Sequence, residues 1–234
     1  MNHDSNIPFK AFNYDLEPAG LNLFKDLKLR KFIKPSEPNY IARTVLPSVV
    51  NTTTNSQETT QAIYECYLRI GQEKASHLQE IQQFGINLPP TYFTAGSNEH
   101  SYLTLYSLTQ LVNGPNLLEY AHNNETSEDM LEYKYTQLIE SLCNYYSHCF
   151  HQHISVLFDT FGLQQYVLST DNEEIYLVDT DSYIDDPTHT LANYLVTQLR
   201  KSNNILENKF QSGSNRMHQA NEHISHLASS IITI

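Results

Sequence analysis

A helix-rich α+β protein is the fold class this sequence predicts, and three observations carry that expectation. Residues 58–84 and 128–150 each repeat apolar side chains at the three- and four-residue spacing of a helix. Short segments rich in β-branched and aromatic residues, bounded by Pro, Gly and Asn, lie before and between them and read as strands. The last fifty residues return to helical spacing.

Taken in order, residues 1–39 read as an irregular segment, interrupted by Pro8, Pro18, Pro35 and Pro38, with one short helix over Leu21–Leu29. Tyr40–Leu46 alternates and predicts a strand, which Pro47 and the polar run NTTTNSQ are expected to end. The helix over 58–84 carries Ile63, Tyr67, Ile70, Leu78, Ile81 and Phe84 on its apolar stripe, with Gly85 placed for a left-handed cap. Pro89-Pro90 then introduces TYFTA and SYLTLYSL, a strand–turn–strand pair around GSNEH. Asn113-Gly114-Pro115 breaks the chain, and 116–122 predicts a short helix. The helix over 128–150 buries Leu131, Tyr135, Leu138, Leu142, Tyr145 and Cys149. Two short strands, 166–169 and 175–178, are joined by TDNEE, a run of turn formers. Leu191, Leu195, Leu199, Leu206 and Phe210 line one closing helix, and Met217, Ile224, Leu227 and Ile231 the other.

Composition narrows the function classes. Charged residues are only 17% of the 234, so solubility rests on neutral polar groups, and the sixteen Tyr suit half-buried positions. The formal net charge of −12 opposes a phosphate backbone. The richest basic stretch, Lys25–Lys34, reads as a solvated face rather than a nucleic-acid patch. No nucleic-acid partner is expected. Three cysteines, Cys66, Cys143 and Cys149, suggest no disulfide framework. There is no basic segment followed by an apolar run at the N-terminus, and no apolar stretch near the roughly 18 residues a spanning helix needs. The expectation is a cytoplasmic protein with no membrane partner.

Residues QQYVLSTDNEEIYLVDTDS (164–182) bring a strand through a turn and back along a second strand, IYLV, that ends at Asp179. With Ala42-Arg43 in the first strand and EKASHLQEIQQFGINLPPTYFTAG after it, the stretch resembles the protein-kinase-like fold, in the reduced form of aminoglycoside and choline phosphotransferases. That resemblance implies two lobes. Residues 40–112 would form a small strand-rich lobe and 113–234 a helical lobe, with a short hairpin at 166–178. It also implies Mg²⁺ and ATP as cofactors. Asp179 would bind the metal, Gln164 or Gln165 would stand where a metal-binding Asn is expected, and Asp159 would accept a substrate hydroxyl proton. Arg43 would hold phosphates in place of a strand Lys, paired with Glu73, for which Glu65 and Glu80 are rivals.

The departures are equally plain. No His-x-Asp precedes the loop, a Gln replaces the Asn, and no G-x-G-x-x-G lies before Tyr40. Asp179 and Asp159 also suit ordinary solvated turns, and Arg43 and Glu73 ordinary rim positions. Cys66 reads as a core residue, and Cys149 with His153, at i, i+4, as a weak zinc pair. The functional expectation is therefore a divergent kinase-like protein, either a Mg-nucleotide-dependent phosphotransferase acting on a hydroxyl or a catalytically dead relative. The alternative is a regulatory module that binds a protein partner and has no nucleotide site.

Overall fold

The structure is a computed structural model, and it describes residues 17–18, 31–34, 37–51, 54, 56–97, 102–122, 129–152, 154, 156–158, 162–179, 183–185, 189–210 and 214–232. It is an α+β fold, and the chain divides into two compact units, Met1–Glu80 with Pro89–Leu111, and Ile81–Leu88 with Val112–Ile234.

The first unit is built on five antiparallel strands: β1 (Glu17–Pro18), β2 (Lys31–Lys34), β3 (Glu37–Asn51), β4 (Thr91–Ser97) and β5 (Tyr102–Gln110), in the order β1-β2-β3-β5-β4. β5 lies between β3 and β4, and every residue from 103 to 109 is buried, as a strand covered on both faces requires. Helix α1 (Gln57–Gln83) leaves β3 and its chain returns as β4. Ser56 caps the helix start: its Oγ accepts the Thr59 N–H at 3.2 Å. Gly85, at φ +84°, closes the C-terminus as its sequence position predicts.

Two expectations change here. Strands occupy part of the stretch before residue 40 that its prolines marked as irregular, and Leu21–Leu29 lies outside the described residues. β3 does not stop at Pro47 but runs to Asn51. Its pairing with β5 slips between Thr44 and Leu46, and again between Leu46 and Val50. Proline has no N–H for a ladder, and a slipped register is where a strand tolerates it.

The second unit is helical, with one short hairpin and one further two-stranded ladder. Its helices are α2 (Leu117–His122), α3 (Asp129–His151), α4 (His189–Glu207) and α5 (Asn215–Ile232). α2 opens on a reciprocal cap: the Glu119 N–H donates to Asn116 Oδ1 at 2.9 Å, and the Asn116 N–H to Glu119 Oε2 at 3.1 Å. α5 packs against both α3 and α4. Tyr135, Leu142, Tyr146 and Cys149 of α3, Leu195, Leu199 and Leu206 of α4, and Met217, Ala220, Ile224 and Leu227 of α5 are all buried. α4 also carries a fully buried Asn203, whose Nδ2 donates to Asn221 Oδ1 of α5 at 2.9 Å. Ser214 caps α5 through the Met217 N–H at 3.1 Å and donates its own hydroxyl to the buried Glu132 of α3.

β7 (Tyr166–Leu168) pairs with β8 (Ile175–Leu177), the hairpin that the sequence foresees. β6 (Val156–Phe158) pairs with β9 (Tyr183–Asp185), which it does not: three-residue strands give too short an alternation to read. The segment before α2 is stitched to β7. The Leu168 N–H donates to Pro115 O at 3.0 Å, and the Thr170 N–H to Asn113 O at 2.8 Å. Gly114, at φ +144°, passes so close to the Leu168 carbonyl that no side chain fits there. No helix among the described residues is long and apolar enough to cross a membrane.

Candidate functional site

The acidic end of β8 is set by main-chain hydrogen bonds. One residue past the paired Leu177, the Val178 N–H donates to Gln165 O at 2.8 Å, so the ladder runs one step beyond the hairpin and delivers Asp179, half-buried, at its end. The Leu177 N–H turns the other way, to Asn87 O at 2.9 Å, and fixes β8 to the loop after α1.

Gln165 is the hinge of this arrangement. It closes a 3₁₀ turn, Leu163–Gln165, entered from Gly162 at φ −98°, and its N–H donates to Gly162 O at 2.9 Å. Its side chain folds back, and Oε1 accepts the Gly162 N–H at 2.8 Å. A backbone N–H can only donate, so this contact fixes which end of the amide is oxygen. The other end, Nε2, donates to Asp179 Oδ2 at 3.5 Å. The buried Gln165 amide thus presents hydrogen, not oxygen, to the carboxylate.

The hairpin turn is held from α3. Lys134 Nζ lies 2.9 Å from Glu174 Oε1 and donates to Glu173 O at 2.8 Å, where Glu173 sits at φ +58°. Asn87 Nδ2 reaches Glu174 Oε2 at 3.4 Å.

The remaining sequence candidates divide as follows. Gln164 is exposed, its side chain lying over Gly162. Arg43 and Glu73 belong to the first unit. Arg43 is buried in β3 rather than on a rim, opposite Ser107 of β5 and Lys31 of β2 in the ladder. Glu73 is exposed and forms no ion pair with a described residue; of its rivals on α1, Glu65 is exposed and Glu80 half-buried. Asp159 lies outside the described residues, as does His153. α3 ends at His151, so the i, i+4 argument for Cys149 and His153 stops short of the second residue. Burial, helped by the nearby Glu140, pushes the Cys143 thiol up to about 12, so it stays protonated. Cys66 is half-buried, not a core residue. No cluster of three or more His, Cys, Asp or Glu is gathered for a metal among the described residues.

Beside the 162–165 turn, within the second unit, a cleft of about 380 Å³ opens between α2, the turn and α4. Leu118, Leu163 and Ile205 give it an apolar base; Gln164, Gln198, Lys201 and Ser202 are polar, and Tyr194 stands at the wall. Tyr194, Gln198, Lys201 and Ile205 share one face of α4 at i, i+4, i+7 and i+11. The sequence reading passed over that face because it followed the Leu stripe on the other side. No known family model matches the chain, and no curated protein matches it.

Proposed function

We propose that the chain is a divergent kinase-like domain that binds small molecules without transferring phosphate, a catalytically dead relative of the phosphotransferases it resembles. The order of elements supports the kinase-like part. An antiparallel sheet takes a long helix between β3 and the β4–β5 hairpin. A second long helix follows, then two short ladders, β6–β9 and β7–β8, with the Asp179 carboxylate two residues after β8. The order of long helix, hairpin, second long helix and short hairpin is the part of that layout on which the proposal leans.

One observation carries the loss of catalysis. Mg²⁺ takes oxygen ligands in near-octahedral geometry, and in an active relative the loop carboxamide turns its oxygen to the metal that the post-strand Asp also holds. Here the Gln165 oxygen accepts the Gly162 N–H, and its nitrogen is aimed at Asp179. Asp179 alone fits a cation; the pair does not. To offer the oxygen, Gln165 must give up the Gly162 contact and leave a partly buried N–H unpaired, at about 1–3 kcal/mol. The connection from β1 to β2 adds to this: residues 19–30 contain one glycine, Gly20, where a phosphate-covering loop needs several.

The test is the melting temperature with ATP, with and without Mg²⁺. A dead relative shows no Mg²⁺-dependent rise at millimolar nucleotide. A Mg²⁺-dependent rise that Asp179→Asn removes would instead establish the active reading. That reading has its own support in a carboxylate fixed at a strand end and a cation, Arg43, buried within β3.

A further inference from the structure

The cleft beside the 162–165 turn carries an inference that goes beyond the kinase-like reading and requires no nucleotide. α4 has two working faces. Ala192, Leu195, Leu199 and Leu206 are buried in the core and hold the helix in place. The face carrying Tyr194, Gln198 and Lys201 lines the cleft.

The charge of that face is unexpected for this chain. Acidic residues outnumber basic ones 26 to 14, yet the one charged side chain among the described residues lining the cleft is a cation. Lys201 forms no ion pair with any described residue. An ammonium left unpaired at the wall of a concave site, with apolar groups beneath it, favours a negatively charged occupant. Around it, Gln164, Gln198 and Ser202 supply amide and hydroxyl groups that both donate and accept, which is the equipment for ligand hydroxyls. Tyr194 is 51% exposed and offers an aromatic surface, and Leu118, Leu163 and Ile205 offer an apolar base. Such surfaces take the C–H face of a ring or a carbon chain.

We propose that this cleft binds a small polyhydroxylated anion, such as a sugar bearing a phosphate, with Lys201 holding the charged group and the carboxamides holding the hydroxyls. The substrates of aminoglycoside and choline phosphotransferases are cations, and a cleft whose described lining has a lysine and no carboxylate rejects them. The volume of about 380 Å³ lies at the lower end of the range for small-molecule sites and suits a ligand of one ring.

The experiment uses the full chain in EDTA with no nucleotide, so that its outcome is separate from the Mg²⁺-ATP measurement. Thermal melting and calorimetric titration are run with glucose 6-phosphate, inorganic phosphate, glucose, choline and kanamycin. Glucose 6-phosphate should raise the melting temperature, and should bind more tightly than inorganic phosphate or glucose alone. Choline and kanamycin should do nothing. Lys201→Gln should weaken glucose 6-phosphate binding about tenfold, the worth of one charge-assisted hydrogen bond, and Lys201→Glu should abolish it. Lys201 is exposed, so both variants should keep the wild-type melting temperature without ligand. Binding of choline or kanamycin in preference to the anion, no binding of glucose 6-phosphate, or undiminished binding by Lys201→Glu each overturns the proposal.

Discussion

Gly114→Ala tests the stitching that holds the candidate site together. Gly114 sits at φ +144°, a region that side chains of L-residues rarely enter, and occupying it costs about 1–3 kcal/mol. A methyl group there would overlap the Leu168 carbonyl oxygen and stand 3.3 Å from the Thr170 nitrogen, so the two segments must part. Parting them threatens the Leu168 N–H to Pro115 O and Thr170 N–H to Asn113 O bonds, worth about 1 kcal/mol each. The sum is about 3–5 kcal/mol of destabilisation, or roughly 10 °C in melting temperature for a chain of this size. Gly162→Ala is the matched control. Its φ of −98° is ordinary, and the atoms nearest the added methyl belong to the flexible Gln164 side chain, so it should cost less than about 1 kcal/mol. Denaturant unfolding of both variants gives the comparison, and amide exchange at Leu168 and Thr170 reports the two bonds. Equal stability of the two variants, or unchanged exchange at those amides in Gly114→Ala, would refute the reasoning.

Three further outcomes follow from groups already placed. The folded Cys143 thiol titrates near 12 and the unfolded one near 9.0, so its contribution to stability is complete below pH 9 and disappears as pH rises toward 12. Stability curves should fall across that window by up to about 4 kcal/mol, Tyr135 adding to the fall at its upper end, and Cys143→Ala should flatten the descent. Lys134→Met removes both contacts to the β7–β8 turn and should cost about 1–2 kcal/mol. Glu174→Gln should cost less, because Glu174 is partly solvated and the bond to Glu173 O survives; faster amide exchange at residues 173–174 is the check. Gln165→Glu sets a second carboxylate against Asp179, and millimolar Mg²⁺ should stabilise this variant against heat while leaving the wild type unchanged.

Much of the fold was legible because its long elements repeat. The helix over 58–84 matches α1 to within one residue at each end, and all six residues of the stripe assigned to 128–150 are buried in α3. Gly85 was readable as a cap because its function depends on local φ alone. What escaped was short or non-local. β6 and β9 are three residues each and exist through pairing across more than twenty positions. Pro47 was read as a strand terminator, but a slipped register between Thr44 and Val50 absorbs it, and that slip depends on β5. At the site, Asp179 could be placed because it follows an apolar run. The direction of the Gln165 amide could not, since it is decided by an N–H three residues earlier that sequence does not orient. Arg43 was read as a rim residue because a charged side chain on a strand is expected to reach solvent, whereas here it is buried.

The amide pair between α4 and α5 has a consequence for how the helices find one another. Leucine, isoleucine and methionine repeating along two facing stripes would be nearly as content one turn out of step. Asn203 and Asn221 are not interchangeable with their neighbours, since a slide of one turn would take from the fully buried Asn203 amide its partner on α5. The pair works as an alignment key. It selects one sliding position among several of similar greasiness, and so fixes how far along α5 the stripe of Tyr194, Gln198 and Lys201 comes to rest.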